Sequence, residues 1–372
     1  MTDALAVVAP DGALTYSELD ARAAADPGPV LIAAPALDFL VALRARLNRD
    51  QGVLLVDPRL NQRERARLSP PPERGVLMHT SGTTTGRLTP VTLSPENLVA
   101  AAEASARAVD LAPGDRWLAP LPLAHVAGLM VLLRCWQRGA TAVLGPASLE
   151  GATFVSLVPT QLARLLDAGQ AGVAAQVILG GAPAPPGLLR RAAAAHIGVR
   201  ISYGLTQTCG GITQSAPGDL ETVGHPIAGA HVALAADGEI VVAGPMVAGE
   251  RPLATGDLGR IEGDGRIVIT GRKGDLIITG AENVMPQEVE DVLIDHPDVV
   301  DAAVYGRPDP EWGEAVVARV VLAAGSSLDP GALRDFCRER LAGFKVPKHY
   351  EAAAALPRST GGKLLRREIR SE

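Results

Sequence analysis

The sequence predicts an α/β protein with a large N-terminal domain, residues 1–272, and a small α+β C-terminal domain, residues 273–372. The chain of 372 residues is longer than one ordinary domain. Strand and helix patterns alternate over residues 140–205, which is typical of a doubly wound, mainly parallel sheet. Short strands separated by turns follow over residues 222–280 and predict a β-rich subdomain.

The first elements with a clear pattern are two strands joined by a hydroxyl-rich loop. Residues 75–80 (GVLMHT) predict a buried strand, and residues 88–94 (LTPVTLS) predict a second one. Ser94 is a favoured N-cap residue and Pro95 suits a first helical turn, so a helix should follow directly. The loop therefore joins two strands, unlike a Walker A loop, which opens a helix and carries a lysine.

The alternating region supplies the expected ligand site. Strands are predicted over 140–145, 153–158, 177–180 and 199–204, with helices over 161–169 and 188–196. Ligands of such sheets bind beyond the carboxyl ends of the strands. Two of these ends are rich in candidate contacts, namely residues 180–183 (GGAP) and 203–206 (YGLT). A flat heterocycle could lie between the small residues of one and the aromatic ring of the other.

The C-terminal unit begins at a boundary near residues 271–274. A helix is predicted at about 286–296, followed by strands over 299–306 and 315–323 and a helix over 329–342. These elements make a unit of the size of an independent domain.

Composition excludes several classes of protein. The net charge is −6 without a basic block, which argues against a nucleic-acid partner. The three cysteines are far apart and form no CxxC pair, which argues against zinc or a disulfide framework. The start of the chain lacks a signal-peptide pattern, and no apolar run reaches membrane-spanning length. We expect a cytoplasmic protein without a membrane partner.

Five motifs occur in a fixed order along the chain: HTSGTTTG at 79–86, YGLTQT at 203–208, TGD at 255–257, GRKGDLIITGAENVMPQEVE at 271–290 and LPRSTGGKLLRREIR at 356–370. Together they resemble the acyl-adenylate-forming, or AMP-binding, superfamily, in its acyl-CoA ligase branch. The chain is short before the first motif, and in this it resembles the actinobacterial 2-succinylbenzoate–CoA ligases of menaquinone synthesis.

The resemblance implies an AMP-forming acid–CoA ligase that works in two steps with ATP, Mg²⁺ and CoA. A carboxylic acid, aromatic and best matched by 2-succinylbenzoate, would attack the α-phosphate of ATP to give an acyl-adenylate and pyrophosphate. The CoA thiol would then take the acyl group after rotation of a mobile C-terminal domain. Two alternatives stay open: loading of a carrier protein in secondary metabolism, and a catalytically weak nucleotide-binding relative. The oligomeric state is open too, with a homodimer as the common case.

The first motif is expected to bind the phosphates of ATP. A Ser/Thr/Gly stretch alone is more often a turn or linker, but its position between two apolar strands favours phosphate binding by N–H groups and hydroxyls. The family usually carries a lysine where this chain has Thr89, so Arg87 is expected to supply the charge. The expected phosphate-binding residues are Thr80, Ser81, Gly82, Thr83, Thr84, Thr85, Gly86 and Arg87.

Catalytic roles are implied for Lys363, His125 and Thr206. On charge pattern alone Lys363 could be a solvated cation of a basic tail, but the family places this lysine at the transition state of adenylation. His125 lies among apolar residues and could be a core histidine. The resemblance places it in an acyl pocket, whose expected residues are His125, Gly128, Ser202 and Leu205. Gly128 is expected to leave room for the acyl chain.

The adenosine of ATP is expected to bind at two strand ends and at the TGD motif. Tyr203 could be a core aromatic, but its position next to Gly204 favours stacking on adenine. Asp257 and Arg272 could be a turn residue and a surface cation; the resemblance assigns both to the ribose. The expected residues are Gly181, Ala182, Pro183, Tyr203, Gly204, Asp257 and Arg272.

Two further positions complete the expected site. Gly274 falls at the hinge position, where a glycine tolerates large changes of φ and ψ. Gln207 stands where the family has a glutamate that helps to hold Mg²⁺, so a weaker metal site is expected. The other histidines show no spacing of metal ligands, and His79 is the one expected near the phosphates.

Overall fold

A computed structural model describes residues 3–81, 88–145, 151–169, 175–249, 251–358 and 364–371. All statements on the fold concern these residues. Their α-helices are Tyr16–Arg22, Leu37–Asn48, Gln62–Arg65, Pro95–Arg107, Val126–Arg138, Pro159–Asp167, Pro186–Ala194, Pro286–Ile294, Pro330–Arg338 and Arg366–Ser371. Short 3₁₀ helices lie at Thr206–Thr208, Lys273–Asp275 and Gly343–Lys345.

A seven-stranded sheet contains the region that was predicted to alternate. Its inner strands are parallel, and only the two strands at one edge pair in antiparallel fashion. In spatial order the strands are Val199–Ile201, Gln176–Leu179, Phe154–Leu157, Arg116–Ala119, Thr141–Leu144, Leu5–Ala9 and Gly12–Thr15. The predicted mainly parallel, doubly wound sheet is therefore confirmed.

The hydroxyl-rich motif belongs to a second, four-stranded sheet. Its order is Val30–Ile32, Val53–Val56, Val76–Ser81 and Leu88–Leu93, with the last strand antiparallel to the others. The predicted hairpin is thus present, but its strands do not join the large sheet. Ser94 caps the next helix as expected, because its hydroxyl accepts a hydrogen bond from the backbone N–H of Asn97.

Antiparallel strands dominate the remainder of the chain. The predicted β-rich segment forms a four-stranded sheet, in the order His231–Leu234, Glu239–Ala243, Leu253–Ile261 and Ile267–Arg272. Two short strand pairs precede it, Gly204–Leu205 with Gly210–Gly211 and Thr213–Gln214 with His225–Pro226. The last sheet contains Glu282–Val284, Ile277–Thr279, Gly313–Leu322, Val299–Asp309 and His349–Ala352.

The N-terminal and C-terminal parts of the chain have separate hydrophobic cores. Two clusters of buried side chains use residues up to Ile267, whereas a third uses only residues from Ile277 to Tyr350. This arrangement agrees with two domains, while the boundary at 272/273 and the mobility of the second domain stay predictions. In the described residues, no helix has both the length and the apolar character needed to cross a membrane.

Candidate active site

Two neighbouring parallel strands bring the expected adenine contacts to one edge of the large sheet. Gln176–Leu179 ends before Gly181, Ala182 and Pro183, and Val199–Ile201 ends before Tyr203. The N–H of Ser202 donates to the carbonyl of Leu179 at 2.8 Å, which keeps the two strand ends together. Gly204 is needed for a close approach, since a Cβ there would lie 1.9 Å from the carbonyl oxygen of Gly210.

Asp257, Arg272 and Tyr203 form one hydrogen-bonded group. The carboxylate of Asp257 is buried and accepts from Arg272 Nε at 2.6 Å and from the Tyr203 hydroxyl at 2.9 Å. Burial, assisted by the charge of Asp257, raises the pKa of Tyr203, so the phenol stays protonated and donates. Asp257 and Arg272 face each other across antiparallel strands, which explains why residues 15 positions apart meet.

The phosphate motif is described only at its two ends. Thr80 lies opposite Thr89 in the hairpin, and its hydroxyl donates to the Thr89 carbonyl at 3.4 Å. Thr89 itself is exposed. The strand ends at Ser81. The other expected phosphate contacts and the expected catalytic lysine lie outside the described residues: Gly82, Thr83, Thr84, Thr85, Gly86, Arg87 and Lys363.

A shallow cavity lies beside the described end of this motif. It is lined by Met78, His79, Thr80, Ala124, His125, Val126 and Thr206. His79 Nε2 accepts a hydrogen bond from the Ser69 N–H at 3.1 Å, and burial lowers the pKa of His79. The cavity thus joins Thr80 to two of the residues expected to act in catalysis, His125 and Thr206, and His79 lines it as well.

His125 is half-exposed at the start of the Val126–Arg138 helix, and so it is not a core histidine. Its Nε2 lies 3.1 Å from Nη2 of Arg59. Because a guanidinium can only donate, Nε2 accepts and the ring proton belongs on Nδ1. Burial and the charge of Arg59 lower the pKa of His125, so the imidazole is neutral at pH 7.

Asp57 and Arg59 were missed in the sequence. Arg59 Nε donates to Asp57 Oδ1 at 2.8 Å, and Nη2 forms an ion pair with Oδ2. Burial alone would raise the pKa of Asp57, but the hydrogen bonds from Arg59 bring it below its usual value. The segment DPR looks like an ordinary turn, and its one signal is a position directly after a wholly buried strand, Val53–Val56.

Thr206 lines the cavity, and Gln207 follows it on the same 3₁₀ turn. The N–H of Ala248 donates to the Gln207 carbonyl at 2.7 Å and fixes this turn. These two residues offer neutral oxygens, and the described residues contain no cluster of three or more His, Cys, Asp or Glu side chains able to hold a metal. Such a donor set fits Mg²⁺ only when phosphate oxygens complete the coordination.

The structure agrees only in part with what was expected of the acyl-pocket residues. The Ser202 hydroxyl donates to the Thr213 carbonyl at 3.1 Å, and Leu205 lies at the start of the 3₁₀ turn. A Cβ on Gly128 would lie 2.6 Å from the carbonyl oxygen of Pro122. The space beside Gly128 is therefore filled by the backbone, and the reason for which it was assigned to the pocket is wrong. Its place in the pocket stays a prediction.

Arg134 is a second residue that the sequence did not reveal. This buried guanidinium on the Val126–Arg138 helix donates from Nε to the Ser105 hydroxyl at 2.7 Å and stacks on Trp117, with its Cζ 5.0 Å from the ring centroid. No described Asp or Glu forms an ion pair with it. Burial lowers the pKa of Arg134 to about 10, so it keeps its charge at neutral pH. Gly210 lies against the same guanidinium, since a Cβ there would be 3.9 Å from Nη2.

The expected hinge has charged contacts on either side. Lys273 Nζ forms ion pairs with Asp237 at 2.5 Å and Glu239 at 3.1 Å, on the β-rich sheet. On the other side of Gly274, Asp275 accepts from Arg366 Nε at 3.2 Å. The neighbours of Gly274 thus bind to different parts of the chain, and the hinge role of Gly274 stays a prediction.

Comparison with known proteins identifies the class. The profile of the AMP-binding enzyme family matches residues 34–250, and that of the AMP-binding enzyme C-terminal domain matches residues 288–363. The chain belongs to the AMP-binding enzyme family, which confirms the predicted membership.

Two similar proteins of this family carry the same name. A 2-succinylbenzoate–CoA ligase of Bacillus licheniformis is 34% identical over 336 residues, which cover 80% of this chain and 70% of the relative. The ligase of that name from Geobacillus kaustophilus is 37% identical over 339 residues, covering 80% and 69%.

Solved structures agree with the fold. o-Succinylbenzoate CoA synthetase from Bacillus subtilis in complex with its acyl-adenylate intermediate has a TM-score of 0.87 at 28% identity, covering 99% of this chain and 95% of the other. The same enzyme in complex with ATP and magnesium ion has a TM-score of 0.86 at 28% identity, covering 100% and 97%. The predicted fold class is confirmed.

Proposed function

We propose that the protein is an AMP-forming 2-succinylbenzoate–CoA ligase. The succinyl carboxylate attacks the α-phosphate of ATP, and pyrophosphate leaves with the electrons of the broken P–O bond. The CoA thiol then attacks the acyl carbon, loses its proton and displaces AMP. The names of the similar proteins support this activity.

The observation that carries the proposal is the buried charge of Arg134. A buried guanidinium without an anion is costly, so a partner is expected when the protein is at work. The strand Gly210–Gly211 lies against Arg134 and pairs with Gly204–Leu205, where the acyl pocket is expected. 2-Succinylbenzoate has a second carboxylate, on the ring, which takes no part in the reaction. It is an anion of the right kind to pair with Arg134.

The remaining reactants follow from the same site. Tyr203, Asp257 and Arg272 would bind the adenosine of ATP, while Thr80 and Thr206 would face its phosphates. Gln207 would hold Mg²⁺ through a neutral oxygen, and the metal would neutralise part of the negative charge of the phosphates. CoA is the proposed thiol. A homodimer and a location in the cytoplasm, where ATP and CoA are available, complete the proposal.

A matched pair of acids tests it. Pyrophosphate release and thioester formation are measured with 2-succinylbenzoate and with 4-oxo-4-phenylbutanoate, which lacks only the ring carboxylate. We expect kcat/KM to favour the diacid by roughly 100-fold, the effect of losing one partner of a buried charge pair. Arg134→Gln should remove most of this preference, Arg134→Lys should retain part of it, and Arg138→Gln on the same helix should not change it.

Three results would contradict the proposal. The enzyme could prefer the monoacid, it could adenylate neither acid, or it could form the adenylate without transferring the acyl group to CoA. The last result would instead indicate a carrier-protein thiol. Thermal denaturation of each variant separates a loss of preference from a loss of folding.

A further inference from the structure

The turn after Val53–Val56 lies at the same sheet edge as the phosphate motif. This strand is parallel to Val76–Ser81 and pairs with it directly. Carboxyl ends of neighbouring parallel strands meet at one edge, where ligands of such sheets bind. Asp57 and Arg59 therefore follow one strand at the edge where the phosphate motif follows the next.

Arg59 is held in a way that leaves one end of its guanidinium available. Nε and Nη2 donate to the two oxygens of Asp57, and Nη2 also contacts His125 Nε2. No described residue accepts a hydrogen bond from Nη1. The side chain is 41% exposed, so a ligand can reach it. Asp57 thus orients the fork of Arg59 without burying it.

The described wall of the cavity offers no permanent charge of its own. Its polar members are His79, Thr80, His125 and Thr206, and both histidines have lowered pKa values. Position 89, where the family has a lysine, is an exposed threonine. Among the described residues, Arg59 is the cation whose side chain forms a hydrogen bond with a side chain of this wall.

We propose that Arg59 binds the β- and γ-phosphates of ATP and takes the part of the missing loop lysine, with Asp57 as its positioning residue. A planar guanidinium with free N–H donors suits phosphate oxygens. This inference rests on the proposed function, because it requires ATP as the substrate. It adds a phosphate contact from outside the hydroxyl-rich motif.

Calorimetric binding of ATP with Mg²⁺ and of AMP to the full-length enzyme tests the proposal. AMP lacks the β- and γ-phosphates, so the ratio of the two affinities reports on these phosphates and on the Mg²⁺ that they carry. Arg59→Gln should weaken ATP binding by about 10- to 100-fold, as expected for a lost charge-assisted contact. AMP binding should change by less than about twofold.

Three further variants sharpen the test. Arg59→Lys should recover part of the ATP affinity, since it restores the charge without the fork. Asp57→Asn should weaken ATP selectively but by less than Arg59→Gln. Arg63→Gln, an exposed arginine in the next helix, should bind both nucleotides as the wild type does.

The proposal is overturned if Arg59→Gln binds ATP normally, if ATP and AMP lose affinity equally, or if only the CoA step is impaired. Failure of the proposed function looks different, because the wild type itself would then bind no ATP or release no pyrophosphate with any acid tested.

Discussion

The hydroxyl of Tyr203 donates a 2.9 Å hydrogen bond to the carboxylate of Asp257, which follows it by 54 residues in the chain. This bond joins the end of the parallel sheet to the β-rich sheet, and Arg272 holds the other carboxylate oxygen. The ring expected to stack on adenine and the carboxylate expected to bind ribose are therefore held next to each other by hydrogen bonds within the protein.

Tyr203→Phe should weaken AMP binding by about 3- to 10-fold, because it removes one hydrogen bond and keeps the ring. Tyr203→Ala should weaken it further, since stacking on a base contributes about 1–3 kcal/mol. Titration calorimetry with AMP measures both effects. Tyr305→Phe is a matched control, because it removes a 2.9 Å bond to Glu351 in the C-terminal region. An unchanged affinity in Tyr203→Ala would exclude the ring from the adenine site.

Lys363→Ala should abolish adenylate formation and leave thioester formation from added acyl-adenylate largely intact. The expected charge acts on the transition state of the first step only, so the two half-reactions should separate. Adenylate formation is measured by pyrophosphate release, and the second half-reaction is measured by thioester formation from added acyl-adenylate. Lys345→Ala, which removes an ion pair with Glu288, is the control for adenylation. Equal losses in both half-reactions would refute the role assigned to Lys363.

Gly274→Pro should slow the second half-reaction about tenfold more than the first. Proline fixes φ near −65°, and Lys273 and Asp275 are already bound to different parts of the chain, so it would favour one orientation. Gly274→Ala, which retains more backbone freedom, should impair both steps little. Single-turnover measurements of adenylation and of thioester formation test this prediction. Equal slowing of both half-reactions in Gly274→Pro would place the hinge elsewhere.

Local patterns explain what could be predicted of the fold. The helix at Pro95–Arg107 was predicted from Ser94 and Pro95, and the structure shows the capping box. The separate sheet of the phosphate hairpin was not predicted, because strand pairing depends on contacts between distant residues. The alternation of strands and helices predicts a parallel sheet, but it does not show which strands belong to that sheet.

Order and spacing of motifs indicated Tyr203, Asp257 and Arg272, and the structure brings these three together. The sequence could not indicate Arg59 or Arg134, because a single arginine carries no periodic signal. Arg59 and His125 are 66 residues apart, and only folding shows that they touch. The expectation that Gly128 leaves room for the acyl chain was wrong because it too depends on the folded structure. The carbonyl of Pro122 fills the space beside Gly128, and the sequence does not show this.

Gln207 is the position where one substitution should improve the enzyme. The described residues around the 3₁₀ turn bring no carboxylate cluster to a metal, and Gln207 offers a neutral oxygen where the family has a glutamate. Mg²⁺ favours carboxylate and phosphate oxygens, so the present site should depend heavily on the phosphates of ATP.

Gln207→Glu should lower the Mg²⁺ concentration that gives half the maximal rate and should raise the rate of adenylation. The added carboxylate would hold Mg²⁺ more tightly and so help it to neutralise the phosphate charge, a gain of about 1–3 kcal/mol in transition-state stabilisation, or roughly 5- to 150-fold in rate. Pyrophosphate release is measured against Mg²⁺ at saturating ATP and acid. Gln137→Glu adds the same charge on an exposed helix position and should change neither quantity. If Gln207→Glu behaves like this control, the side chain at 207 does not face the metal, and the family's assignment of a metal ligand does not apply to this chain.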